Sequence, residues 1–259
     1  MSFDCREEWY DASSKTAITI ADTTKAAQAL ISNHLSGPVS AYYLTRALTA
    51  AALLSTELSE AEETLSIQMK CTGPLGGLNV ECSAAGTLRG YAEKKILEDF
   101  DAVNNHDVRK VVGERRIQIT RSLPGRILSQ GIATTLDGYL SQSLQRDAEI
   151  RLEAEVSDES VVQCARGVMI ERLPDAPDKT IVWPRGISLC AGSRKILEKL
   201  GFPHAELKKT TPLSFACRCS AERAASMLAA LSDEERANLP PAIDVTCHLC
   251  GKIWTVRTK

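Results

Sequence analysis

The sequence predicts an α+β protein: a mixed N-terminal domain of sheet and helix, a helical linker and a small C-terminal four-cysteine zinc module. Three observations carry this reading. Segments with two-residue apolar alternation recur from Thr16 to Leu173, around one long stretch with helical spacing. A polar, proline-bearing run, Pro174 to Thr180, then marks a boundary. The last 47 residues hold two close cysteine pairs, Cys217-x-Cys219 and Cys247-x-x-Cys250, with 27 residues between the pairs. The expected boundaries are 1–178 for the core, 179–212 for the linker and 213–259 for the module.

With 259 residues, 44% apolar and 25% charged, the chain has the composition of a soluble globular protein. Its net charge of −2 gives no global field for nucleic acid or an anionic membrane. The most apolar stretch, Ala47 to Thr56, is ten residues long, against the roughly 18 that a membrane span needs. The start, MSFDCREEWYD, has acids and no apolar core, unlike a secretory signal. A reducing, cytoplasmic setting is therefore expected, with the nine cysteines as thiols or metal ligands and no standing disulfides.

The elements follow in order. Thr16 to Ile20 predicts a strand, and Asp22 or Thr23 caps a helix over Lys25 to Asn33 that Ser36-Gly37-Pro38 breaks. Leu44, Leu48, Ala51, Leu54 and Leu58 recur at helical spacing, so Val39 to Leu58 is the main core helix. Leu65, Ile67, Met69 and Cys71 share one strand face, Gly73 to Gly77 turns the chain, and Leu78, Val80 and Cys82 return on one face. Pairing Met69 with Val80 sets Cys82 opposite Ile67, about 14 Å from Cys71 at roughly 3.4 Å per residue, too far to bridge. Further strands are expected at Thr87 to Ala92, Arg115 to Ser122, Glu149 to Val156 and Val161 to Leu173, with a helix over Thr134 to Leu144.

In the linker, Ser193 caps a short helix that Gly201 stops, and His204 to Pro212 reads as a tether. In the module, Ser220 caps a helix from Ala221, Ser232 and Glu235 form a capping box for another, and short strands flank the second cysteine pair.

Two close thiol pairs on separate loops make an all-cysteine, four-ligand zinc site of Cys217, Cys219, Cys247 and Cys250. A tail of 47 residues is too short for a robust core without a staple. Structural zinc contributes roughly 10–16 kcal/mol in small peptides, comparable to a whole domain's net stability of about 5–15 kcal/mol. Arg218, Arg223 and Lys252 add positive charge near thiolates that are already in their reactive form. The spacing fits a purely structural staple and an oxidation switch equally.

The remaining residues suggest packing. Cys71, Cys82, Cys164 and Cys190 read as core thiols and Cys5 as incidental. His34, His106 and His204 are isolated, and His248, inside the knuckle, faces solvent. Gly73, Gly76 and Gly77 are followed by no Lys-Ser/Thr and no helix, so they form a turn and not a phosphate loop. No Ser/His/Asp arrangement or carboxylate pair is visible, so no enzyme activity is expected.

Cys-x-Cys-Ser-x-Glu-Arg, a helix and Thr-Cys-x-x-Cys-Gly-Lys resemble the redox-regulated chaperone family of heat shock protein 33. Upstream, "RALTAAALLSTEL", the Gly-Pro-Leu-Gly hairpin ending in Arg-Gly-Tyr, "LDGYLSQS" and "ARGVMIERLP" resemble the same family in the same order, from about Thr16 to Arg257. The resemblance implies an ATP-independent holdase. In that scheme the reduced, zinc-bound protein is inactive. Oxidation forms two neighbouring disulfides, Cys217–Cys219 and Cys247–Cys250, releases the single Zn2+ and unfolds the linker. The opened protein, a homodimer, then binds unfolding or oxidatively damaged clients. Such short-loop disulfides restrict the unfolded chain by only about 2 kcal/mol each and would not replace a staple across the gap. The competing class is a zinc ribbon that binds nucleic acid. Against it, the tail has six Lys/Arg and five Asp/Glu and lacks a basic stripe with stacking aromatics.

Overall fold

The computed structural model describes residues 3–174, 176–177, 182–232, 234–235 and 238–257. The fold is α+β, as expected. Strands β1 (Cys5–Asp11) and β2 (Thr16–Asp22) lead into helices α1 (Thr24–His34) and α2 (Pro38–Leu54). Next come β3 (Thr64–Cys71), β4 (Gly77–Ser83), β5 (Thr87–Ala92) and two single-turn helices, α3 (Glu98–Asp101) and α4 (Val108–Val111). Strands β6 (Arg115–Leu123) and β7 (Arg126–Ala133) precede a short α5 (Leu136–Gly138) that runs on as a π turn over Tyr139–Ser143. The long hairpin β8 (Asp147–Val156) and β9 (Val162–Arg172) is followed by α6 (Ser193–Lys199) and β10 (Glu206–Pro212). The C-terminal part holds β11 (Ser214–Phe215), α7 (Ala221–Ala229), β12 (Ala242–Thr246) and β13 (Ile253–Arg257).

Among the described residues three sheets result, with strand orders β10-β1-β2-β9-β8, β11-β5-β4-β3-β6-β7 and β12-β13. Helix α2 packs on β2, β8 and β9 of the first sheet and on β3, β4 and β5 of the second. That double contact explains its composition. Leu44, Leu48, Ala51, Ala52, Leu53 and Leu54 are all fully buried, and small residues between the leucines let both sheets approach. At Gly167 of β9 a Cβ would meet Leu53, Thr49 and Leu152 at 2.8–2.9 Å, so the strand can pass this close only without a side chain. The main core helix thus lies where its periodicity puts it. Its end is shorter than expected, closing in a 3-10 turn over Ser55–Glu57.

The hairpin β3–β4 forms with the expected faces but in another register. Met69 lies opposite Leu78, Ile67 opposite Val80 and Leu65 opposite Cys82. The turn is two residues tighter than the expected pairing, closed by the Gly76 amide on the Gly73 carbonyl and the Cys71 amide on the Gly76 carbonyl. A shift of two preserves the buried face, so Cys82 stays fully buried and farther still from Cys71 along the strand.

Four other expectations are corrected. Neither Asp22 nor Thr23 caps α1 alone: Asp22 accepts from the Thr24 amide, but the Lys25 and Ala26 amides bond the carboxylate of Asp4, some twenty residues upstream. Helix α6 begins after Gly192, with no side-chain cap from Ser193. The segment read as a tether is strand β10, paired antiparallel with β1 from Cys5–Pro212 to Tyr10–Glu206. Its Glu-Leu-Lys-Lys pattern hides the strand because this is an edge with both faces largely exposed. Cys164 and Cys190 are not separate packing thiols. They form a disulfide with Cα atoms 5.9 Å apart, which also overturns the expectation of no standing disulfides. A spacing of 26 residues gives no hint that β9 and the chain before α6 meet.

The first sheet has a second covered face. Leu189, Ile196, Leu197 and Ala205 pack on Trp9, Ile18, Ile20, Val168 and Ile170. Because helices lie on one face and the 189–205 segment on the other, β2 reads TAITIA, buried nearly throughout. The boundary expected at Pro174 to Thr180, and with it the linker's start, lies partly outside the described residues. No helix of the described residues is long and apolar enough to cross a membrane.

Candidate metal centre

Two stretches of backbone bring the four cysteines together. The first leaves β11, which lies parallel to β5 with Ser214 beside Thr87 and Phe215 beside Leu88. The Ala216 amide extends that pairing to the Leu88 carbonyl at 3.1 Å. Cys217 and Cys219 follow, and Ser220 then caps α7 by accepting from the Arg223 amide at 3.2 Å. Serine suits this place because its short hydroxyl satisfies an amide that the first helical turn leaves unpaired.

The second stretch is the turn between β12 and β13, which pair from Ala242–Arg257 to Thr246–Ile253. The Cys247 amide bonds the Lys252 carbonyl and the Gly251 amide bonds the Cys247 carbonyl, each at 2.8 Å. Gly251 has φ +73°, a conformation that disfavours any side chain. The capping box also forms: the Ser232 hydroxyl donates to Glu235 at 2.7 Å, and the Glu235 amide donates to the Ser232 hydroxyl at 3.3 Å. The rest of that expected helix falls partly outside the described residues.

The sulfurs converge. Cys217 Sγ lies 3.8 Å from Cys247 Sγ and Cys219 Sγ lies 3.4 Å from Cys250 Sγ. All four lie within 4.8 Å of one another. A tetrahedral zinc with bonds of about 2.3 Å sets its sulfurs about 3.8 Å apart. The spacing and the all-thiolate donor set therefore suit a four-coordinate ion. His248 stands outside this group; its ring packs edge-on against Tyr91 with centroids 5.3 Å apart.

The electrostatics are uneven. Partial burial raises the thiols of Cys247 and Cys250. At Cys217 burial also acts upward, but the Cys219 amide, the Arg89 guanidinium and the neighbouring thiols outweigh it and bring the value to about 7. Arg89 figures in the sequence only within the Arg-Gly-Tyr that ends the hairpin motif, with no role at the cysteines. It projects from β5, pairs with Glu81 through Nε at 2.7 Å and donates from Nη1 to Cys217 Sγ at 3.8 Å. Of the cations expected there, Arg223 donates to the Arg218 carbonyl, and Lys252 lies over the Trp254 ring at 4.0 Å.

The module is docked on the core. The Gly90 amide donates to the Leu249 carbonyl at 2.9 Å, extending β5 onto the knuckle. His34, at the end of α1 and 3% exposed, donates from Nε2 to the Gly90 carbonyl at 2.9 Å. Burial holds its imidazole below the ordinary value, with Lys95 adding to the effect. A Cβ on Gly251 would lie 2.6 Å from the Asn33 carbonyl oxygen, so the knuckle sits directly on the end of α1. His34 is isolated in sequence, and only the fold makes it a docking residue.

The chain is similar to known proteins over most of its length. Residues 9–257 match the family described as Hsp33 protein. The 33 kDa chaperonin of Thermus thermophilus is 29% identical to the chain, over 92% of it and 79% of the relative. That of Symbiobacterium thermophilum is 28% identical, over 92% and 88%. The crystal structure of the 33 kDa chaperonin, a heat shock protein 33 homolog, from Thermotoga maritima superposes with a TM-score of 0.86. It covers 99% of this chain and 96% of that one at 18% identity, a likeness of fold.

Proposed function

The chain belongs to the Hsp33 family, and from that premise we propose that it is a redox-regulated, ATP-independent holdase chaperone that binds unfolding proteins. The observation that carries the reading is the convergence of Cys217, Cys219, Cys247 and Cys250 in a module docked on the core. A purely structural staple would need the convergence but not the docking.

In the resting form the four thiolates hold one Zn2+, which supplies a clamp for a tail too small to fold unaided. Cys217, beside Arg89, is the sulfur best placed to stay anionic. Two equivalents of a peroxide or hypochlorite accept four electrons from the four cysteines. In each event one thiolate attacks the oxidant's oxygen or chlorine and hydroxide leaves; its partner thiolate then displaces hydroxide or chloride from that sulfur, and a disulfide forms. The pairs are Cys217–Cys219 and Cys247–Cys250. Sulfurs bonded to one another are no longer thiolate ligands, so the clamp is lost and the strands β12 and β13 loosen.

The core then loses what the module presses upon. The contacts at Gly90, His34 and Asn33 tie the knuckle to α1 and β5. The linker, which we place at 179–212, covers the Trp9, Ile18, Ile20, Val168 and Ile170 face through Leu189, Ile196 and Leu197. Released, that face is an apolar surface for clients, and two opened chains pair through the core at 1–178. The setting that fits a thiol resting form is the cytoplasm.

The test is light scattering from a thermally unfolding client. The oxidised, zinc-depleted protein should suppress aggregation and the reduced zinc form should not. Equal behaviour of the two forms sinks the switch.

A further inference from the structure

We propose that Cys164 and Cys190 are a third, separate redox-modification site: a reversible latch that fastens the linker to the core sheet and opposes the four-cysteine switch. The Cys164 and Cys190 sulfurs are bonded, whereas those of Cys217 and Cys247 and of Cys219 and Cys250 lie 3.8 and 3.4 Å apart. Oxidation therefore has opposite meanings at the two places. At the cluster it frees the tail; at Cys164–Cys190 it ties a segment down.

The position argues for a latch. Cys164 lies in β9, 5% exposed. Cys190 lies between Leu189, which is buried against the sheet, and α6, whose Ile196 and Leu197 complete that apolar cover. The same stretch is held by polar clamps: Glu153 of β8 accepts from the Ser188 hydroxyl and the Leu189 amide, and Arg166 of β9 donates to the Ala191 carbonyl. Sixteen residues beyond Cys190 the chain rejoins the sheet as β10. With the bond closed, the cover is fixed covalently at one end and by strand pairing at the other. With it open, that end of the cover rests on the apolar contacts and polar clamps, and only β10 still fastens the other.

The surroundings also set the chemistry. Ligand atoms of Glu153 and Glu155 lie within 4.8 Å of the Cys190 sulfur. Carboxylates disfavour a thiolate there, so the couple closes slowly. To close it, a peroxide takes two electrons: one thiolate attacks oxygen, the O–O bond breaks, and the second sulfur displaces water from the sulfenic acid. To open it, a dithiol's thiolate attacks one sulfur, its second thiolate resolves the mixed disulfide, and two cysteine thiols and the dithiol's own disulfide result.

The brake on activation rests on the holdase reading; the latch does not. The full chain, zinc-loaded, is compared with the bond closed and after opening by a phosphine reductant, with Cys164→Ser and Cys190→Ser alongside. Peptide mapping after alkylation should find 164 and 190 cross-linked once hydrogen peroxide in excess over the thiols has reacted to completion. Hydrogen exchange over 189–200 should quicken about tenfold or more on opening and in both variants, with β12 and β13 unchanged. Two free thiols after peroxide, or unchanged exchange over 189–200, overturns the latch. In the client assay, Cys190→Ser should become active at a lower hypochlorite dose than the parent, and an equal dose overturns the brake. If no form holds a client, the holdase reading fails and the exchange result alone decides the latch.

Discussion

The Cys219 sulfur lies 3.4 Å from that of Cys250, and the two belong to different stretches of backbone, one leaving β11 and one turning between β12 and β13. An ion bound there would therefore join segments that local disulfides would leave apart. Replacing Cys250 with Ser removes one of four ligands from the one fully buried corner of the cluster. Metal content should fall from one zinc per chain to near none, measured by elemental mass spectrometry. Amides of β12 and β13 should lose protection in the reduced protein, and retention of both zinc and protection would contradict the clamp.

Gly251→Ala separates docking from metal binding. The new Cβ would meet the Asn33 carbonyl at 2.6 Å, and the residue would keep an unfavourable φ of +73° at a cost of about 1–2 kcal/mol. The four sulfurs are untouched. Zinc should remain bound while exchange at Asn33 to Leu35 and Gly90 quickens, and the reduced variant should hold some client without oxidant.

Ile196→Ala tests the cover over the first sheet. Ile196 is fully buried in α6 against the sheet's apolar face, and truncation of such a side chain costs about 2–5 kcal/mol. Local opening of 189–205 should increase, read by hydrogen exchange, and client holding should appear at lower oxidant. If the loss is spread evenly over the whole molecule instead, α6 is part of the global core and not a removable cover.

Glu63 sets a pH dependence. Its fully buried carboxylate accepts from Arg121 Nε at 2.7 Å and from the Ser59 and Glu60 amides at 2.8 and 3.3 Å. Burial pushes its pKa upward, but those donors outweigh it and hold the group below the ordinary glutamate value. The stabilisation is thus complete above the unfolded pKa and is lost as the pH falls through the lower folded value. Glu63→Gln should cost about 1.5–3 kcal/mol at neutral pH in denaturant titrations. The difference from the parent should shrink in acid.

Much of this arrangement is legible in the residue order, and the exceptions have physical causes. Cys217, Cys219, Cys247 and Cys250 announce a shared site because close pairs are rare by chance and thiolates seek metals. The central helix and the β3–β4 hairpin follow from apolar periods near 3.6 and 2. Strand β1, CREEWYD, escapes because its buried members include Arg6 and Asp11, which are satisfied by partners and not by apolar contact. Strand β7 escapes because most of it is exposed at an edge. Arg89 and His34 gain their roles only when β5 and α1 meet the cysteine module, with Arg89 128 residues from Cys217. The register of β3–β4 depends on how tightly one glycine-rich turn closes, and alternation is blind to shifts of two.

Strand β10 connects α6 to the cysteine module. It lies along β1 from Cys5 to Tyr10 and carries Glu206, Lys208 and Lys209 outward, a charged margin of the kind that keeps sheets from joining one another. Directly after it, Leu213 and Ser214 carry the chain across to the other sheet, the Leu213 amide on the Asp4 carbonyl and the Ser214 amide on that of Gly86. A pull on the C-terminal end is therefore felt at the rims of both sheets at once. Were β10 drawn away, the bare backbone of β1 would offer an extended polypeptide a row of sequence-blind partners, a kind of grip that apolar patches alone do not provide.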